Sequence, residues 1–91
     1  MKHLTAEDRD QFIGANPDWN LDGETISRRY EFDSFADSIA FVVKVAMAAE
    51  VADHHPDIDI RWNKVTLVLS THSEGALTEK DIQLAAAIDA L

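Results

Sequence analysis

Apolar residues change their spacing along this chain, and each change marks an element. Thr5, with Asp8 three residues on, forms a capping box that opens a first helix. Gly14, Asn16 and Pro17 together stop it near Ala15. Its apolar face is thin, with Phe12 and Ile13 following Leu4, so this helix must lean on something larger. Pro17 to Gly23 reads as a loop or short strand in which Trp19 and Leu21 alternate, closed by a hairpin turn at Asp22-Gly23. From Thr25 to Phe32, Ile26, Arg28, Tyr30 and Phe32 alternate with Ser27, Arg29 and Glu31, the pattern of a half-buried strand.

Asp33 or Ser34 then caps a long helix that runs to about Asp53. It is apolar nearly all round from Ile39 to Ala52, whereas a helix on a two-layer domain shows one apolar stripe and one polar face. Phe35, Ile39, Val42, Val43, Ala46 and Ala49 are assigned to the sheet, which leaves Phe41, Val45, Ala48 and Ala52. That surplus predicts packing on a neighbouring subunit, helix against helix, unless the first and third helices cover it. Pro56 disfavours helical dihedrals at His55 and ends the helix. Ile58, Ile60 and Trp62 alternate with Asp57, Asp59 and Arg61 as a strand with one wet face. After a turn at Asn63-Lys64, Val65 to Thr71 is the strongest β signal, with Val65, Leu67 and Leu69 on one face and Thr66, Val68, Ser70 and His72 on the other. A loop around Gly75 leads to Thr78, which caps the last helix with Asp81 completing the box. Ile82, Leu84, Ala85, Ile88 and Leu91 supply its buried side. The order helix, two strands, helix, two strands, helix predicts one α+β domain over residues 1–91, an antiparallel sheet covered on one face.

Composition narrows the function classes. The 91 residues carry 17 acidic and 8 basic side chains, a formal charge of −9 that repels phosphate backbones and disfavours nucleic acid as a partner. With no cysteine, disulfides, iron–sulfur clusters and thiolate chemistry are excluded, and a reducing compartment is permitted. MKHLTAEDRD has no apolar segment of a secretory signal, and the run from Ile39 to Ala52 carries Lys44 and Glu50 and is too short to span a bilayer. The expectation is a cytoplasmic protein with no membrane partner.

Three of the four histidines fall between Glu50 and His72. Glu50 and His54 are four apart on the last turn of the long helix, so their side chains lie on one face, and His55 follows. If the hairpin after Pro56 closes, His72 comes near that helix end, giving three imidazoles and a carboxylate together. His3 carries no function in this reading. Adjacent histidines at a helix C-terminus also interact favourably with the helix dipole, and capping alone accounts for Asp81. Trp19 fits a core edge or a pocket wall. Imidazole and carboxylate suit zinc or iron, but no HExxH spacing is present, and adjacent side chains on a helix diverge by roughly 100°. Metal-free general acid–base catalysis is preferred, since histidine both gives and takes a proton near neutrality.

Glu50-x-x-x-His54-His55-Pro56, the aromatic Trp62, His72 and Asp81, together with Asn63-Lys64-Val65, Leu69-Ser70-Thr71-His72 and Leu77-Thr78-Glu79-Lys80-Asp81-Ile82, resemble the pterin-4a-carbinolamine dehydratases over nearly the whole chain. Ile58 departs from that pattern, where relatives often carry tryptophan, and the loop Ser73 to Ala76 is variable. The resemblance implies dehydration of 4a-hydroxytetrahydropterin to quinonoid dihydropterin, the recycling step after an aromatic amino acid hydroxylase, with no metal and no organic cofactor. His54 and His72 would be the acid–base pair, His55 would hold the pterin, and Glu50 would bind the ring or tune an imidazole. Pro56 and the segment Thr71, His72, Ser73 and Glu74 would line the pocket, with Trp19 and Asp81 as further binding residues. The resemblance also implies a four-stranded antiparallel sheet with three helices on one face, and homodimers or homotetramers through the long helix 34–53. A competing role is protein binding, since an animal relative is a dimerisation partner of a homeodomain transcription factor; a pterin-binding protein of other purpose is a third.

Overall fold

A computed structural model describes all 91 residues, Met1–Leu91. Helices α1 (Ala6–Ala15), α2 (Phe35–Ala52) and α3 (Glu79–Asp89) accompany strands β1 (Asn20–Asp22), β2 (Thr25–Glu31), β3 (Asp57–Arg61) and β4 (Lys64–Leu69). The strands form one antiparallel sheet in the order β1-β2-β4-β3. The α+β architecture is the one the periodicity predicts.

Alternation places the core. Ile26 pairs with Leu69 and Tyr30 with Val65, while Ile58 and Ile60 of β3 face Leu67 and Val65. These residues point to the side covered by the helices, where Phe12, Trp19, Val45, Leu84, Ala85 and Ile88 join Ile26, Val65, Leu67 and Leu69 in one buried cluster. The opposite side carries Ser27, Arg29 and Glu31 against Val68, Thr66 and Lys64. Both hairpin turns sit one residue from their predicted places. Gly23-Glu24 and Trp62-Asn63 make the turns, because Asp22 pairs with Thr25 and Arg61 with Lys64. Gly23 supplies the positive φ in the first, whereas Trp62 adopts φ 53° in the second.

The capping boxes at Thr5 and Thr78 form as predicted, and Ser34 caps α2 by accepting from the Asp37 amide. The face of α2 differs from the prediction. Val45 and Ala49 are buried and Phe41 is half-buried, its ring 4.7 Å from Tyr30 and 5.0 Å from Phe32. Phe35, Ile39, Val43, Met47 and Val51, spaced four apart, are the exposed row. A helix apolar all round has no sequence moment to orient it, so the aromatic side chains of β2 choose the face through Phe41. Leu91 is likewise exposed.

Beyond the sheet, Asp89 at the end of α3 accepts from Trp19 Nε1 at 2.7 Å, Tyr30 Oη at 2.6 Å and Arg28 Nη1 at 3.0 Å. Burial, then the Asp89 carboxylate, push the Tyr30 phenol well above its ordinary value, so it remains a donor. No helix is long and apolar enough to cross a membrane.

Candidate active site

The decisive local event is the end of α2. Asp53 takes the left-handed conformation (φ 50°, ψ 44°), its amide donates to Glu50 O and the His54 amide donates to Ala49 O. This is the Schellman arrangement, with aspartate where glycine is commonest. The helix therefore stops three residues before Pro56, and Pro56 is not the terminator. The reversal also separates Glu50 from His54. Glu50 Oε2 instead accepts from His55 Nε2 at 3.0 Å, both side chains mostly exposed. The expected pairing of Glu50 with His54 on one helical face does not occur, because the chain has left the helix at Asp53.

The same reversal turns His54 inward until only 8% of it is exposed. Its Nε2 lies 2.6 Å from Oδ1 of Asp81, a fully buried carboxylate. The other oxygen, Oδ2, accepts from the Thr71 hydroxyl at 2.9 Å and the Thr78 amide at 2.9 Å. Thr78 in turn donates its hydroxyl to Thr71 Oγ1 at 2.7 Å. An ionised carboxylate only accepts, so Asp81 holds the His54 proton on Nε2 and leaves Nδ1 as an acceptor. The helix cap and the histidine clamp are thus one group. Capping explained Asp81 from sequence, but its second partner lies 27 positions away and left no local signal.

A cleft of about 180 Å³ opens beside this clamp, lined by Asp53, His54, His55, Ser70, Thr71, His72, Ser73 and Lys80, none of them apolar. One lip is the end of α2. The other is the end of β4 and a single 3-10 turn at His72–Glu74. The hairpin brings His72 to the paired histidines as the topology requires, with Nε2 3.9 Å from Asp57 of β3. No three histidine, aspartate or glutamate side chains converge as metal ligands.

Of the residues expected to bind substrate, His54, His55, Thr71, His72 and Ser73 line this cleft. Glu50 and Pro56 stand outside its lining. Asp81 sits behind His54, fully buried with both oxygens hydrogen-bonded, and is not part of the cleft lining. Glu74 turns away, its Oε1 3.3 Å from His3 Nε2 and 3.8 Å from the terminal amine, so His3 has a structural partner after all. Trp19 is 1% exposed and bonded to Asp89, about 12 Å along α3 from Asp81. It is a core residue, not a pocket wall. Asp53, Ser70 and Lys80 are cleft residues that spacing did not single out.

The chain matches the family model described as pterin 4 alpha carbinolamine dehydratase over residues 2–91. A protein of Acidobacterium capsulatum named "Putative pterin-4-alpha-carbinolamine dehydratase" is 50% identical over 91 residues, covering 100% of this chain and 99% of that one. One of Mycobacteroides abscessus bearing the same name is 48% identical, covering 98% and 95%. Among solved structures, a transcriptional coactivator/pterin dehydratase from Brucella melitensis superposes with TM-score 0.91 at 34% identity, covering 98% and 97%. A pterin dehydratase-like protein identified as a RuBisCO assembly factor in the alpha-carboxysome superposes with TM-score 0.64 at 26% identity, covering 79% and 83%. With the match spanning nearly every residue, the chain belongs to the pterin 4 alpha carbinolamine dehydratase family.

Proposed function

We propose that the protein dehydrates 4a-hydroxytetrahydropterin to quinonoid dihydropterin by histidine general acid–base catalysis, as a cytoplasmic enzyme of pterin recycling after an aromatic amino acid hydroxylase. The C4a–O bond breaks, the N5 proton leaves, the N5=C4a double bond forms and water departs. His54 is suited to take the N5 proton on Nδ1, because Asp81 fixes its other nitrogen as a donor. His72, on the facing lip, gives a proton to the departing hydroxyl, which leaves poorly as hydroxide. His55 steadies the ring, backed by Glu50. The observation that carries this reading is the meeting of an Asp81-clamped His54 and an exposed His72 across one wholly polar cleft. The reaction needs no metal or organic cofactor, since the pterin is itself the substrate.

The test is stopped-flow breakdown of 4a-carbinolamine. His72→Ala should slow it by roughly 10²- to 10⁴-fold, the usual worth of a positioned acid or base. Stability should stay within about 0.5 kcal/mol, because the side chain is 65% exposed. Wild-type protein that binds pterin yet leaves the spontaneous rate unchanged defeats the enzymatic reading and leaves a pterin-binding protein.

The exposed row Phe35, Ile39, Val43, Met47 and Val51 supports homodimers or homotetramers through the long helix 34–53, α2 packing on α2 of a second copy. The same row favours a second reading, docking to an unrelated protein. The coactivator and assembly-factor roles of the two solved relatives belong to that class.

A further inference from the structure

The left-handed cap at Asp53 is chemically expensive where glycine would do. A side chain in this region is disfavoured relative to glycine, and the Schellman hydrogen bonds require the dihedrals, not a carboxylate. Sparsely populated backbone held at a cleft invites a functional account of the side chain. Asp53 is exposed and lines the cleft. Of the other carboxylates nearby, Asp81 holds His54, Glu50 meets His55, and Asp57 lies 3.9 Å from His72, outside the cleft lining. Asp53 is the only acidic residue among the eight that line the cavity, which otherwise presents imidazoles, hydroxyls and one ammonium.

A lone carboxylate in such a wall selects for a ligand with paired N–H donors. The 2-amino-4-oxopyrimidine half of a pterin carries such a pair, N3–H and the 2-amino group, side by side on the edge away from the N5 and C4a atoms that react. A carboxylate meets that fork as it meets a guanidinium, one oxygen for each N–H. We infer that the Asp53 carboxylate anchors the 2-amino and N3–H edge of the pterin, setting the ring so that C4a and N5 face the imidazoles. The inference rests on the dehydratase reading and adds the residue that chooses which heterocycle enters. It assigns the backbone strain at the end of α2 to substrate selection: the turn that swings His54 inward also presents the anchor.

The test pairs Asp53→Asn and Asp53→Gly with two ligands, 7,8-dihydropterin and its 2-oxo analogue, which lacks the amino group. Binding is followed by fluorescence quenching. Both variants should weaken dihydropterin binding about 10- to 100-fold, the worth of a charge-assisted pair. Affinity for the 2-oxo analogue should change less than about threefold, since it never makes the pair. Asp53→Gly should melt no lower than wild type, separating ligand loss from fold loss. Variants that bind dihydropterin within about twofold of wild type, or that lose both ligands equally, overturn the anchor. Wild-type protein that binds neither ligand overturns the dehydratase reading itself, a distinguishable result.

Discussion

Replacing Asp81 by asparagine tests the clamp on His54 without changing its shape. The carboxylate accepts three hydrogen bonds, from His54 Nε2 at 2.6 Å, Thr71 Oγ1 at 2.9 Å and the Thr78 amide at 2.9 Å. The Thr78 amide can only donate, so the asparagine oxygen must face it, and the NH2 group must face His54. His54 then has to accept on Nε2, which moves its proton to Nδ1 and removes the proposed base. Exchanging three charge-assisted bonds for neutral ones loses about 1 kcal/mol each, partly offset by the cheaper burial of a neutral amide. A net destabilisation of about 1–3 kcal/mol follows, a fall of roughly 4–20 °C in Tm for a domain of this size. The protein should remain folded at 25 °C, while carbinolamine breakdown falls by about 10²- to 10⁴-fold. Stopped-flow rates on protein shown by circular dichroism to be folded provide the measurement. A folded Asp81→Asn enzyme with the wild-type rate would refute the assignment of His54 as a base held in one tautomer.

Three other outcomes follow from the same geometry. Met47→Glu places a charge in the exposed row of α2, a residue 67% exposed, so it should dissociate the proposed oligomer and leave the fold intact; sedimentation showing wild-type monomer would refute that proposal. Val45→Glu, on the face that the sequence pattern assigned to a neighbouring subunit, should instead unfold the protein, since Val45 is fully buried. Glu24 accepts first from Arg9 and then from the Leu77 amide, which holds its carboxyl below the ordinary value of 4.5. Its stabilisation is present above that value and is lost as pH falls through the depressed one. The stability gap between wild type and Glu24→Gln should therefore be constant near neutrality and close below about pH 4.5, as read from urea unfolding at several pH values. A gap that persists into strong acid would argue that the Arg9 and Leu77 contacts do not depend on the charge of Glu24.

Local chemistry was enough to determine the elements. The boxes Thr5/Asp8 and Thr78/Asp81, the alternation of Val65, Leu67 and Leu69, and the nearly continuous apolar run of α2 each depend on neighbours within a turn or a strand, so they were legible from sequence. The hairpin likewise predicted that His72 returns to His54 and His55, because strand pairing follows from connection length. What lay beyond reach depended on distant partners or on one dihedral. The face of α2 was settled by Phe41 meeting Tyr30 and Phe32, and the role of Trp19 by its bond to Asp89. The left-handed turn at Asp53 sent Glu50 to His55 and His54 to Asp81. Spacing along a helix states which side chains share a face only while the helix lasts. Where it ends, a single backbone rotation reassigns every partner after it, and only the folded chain decides which.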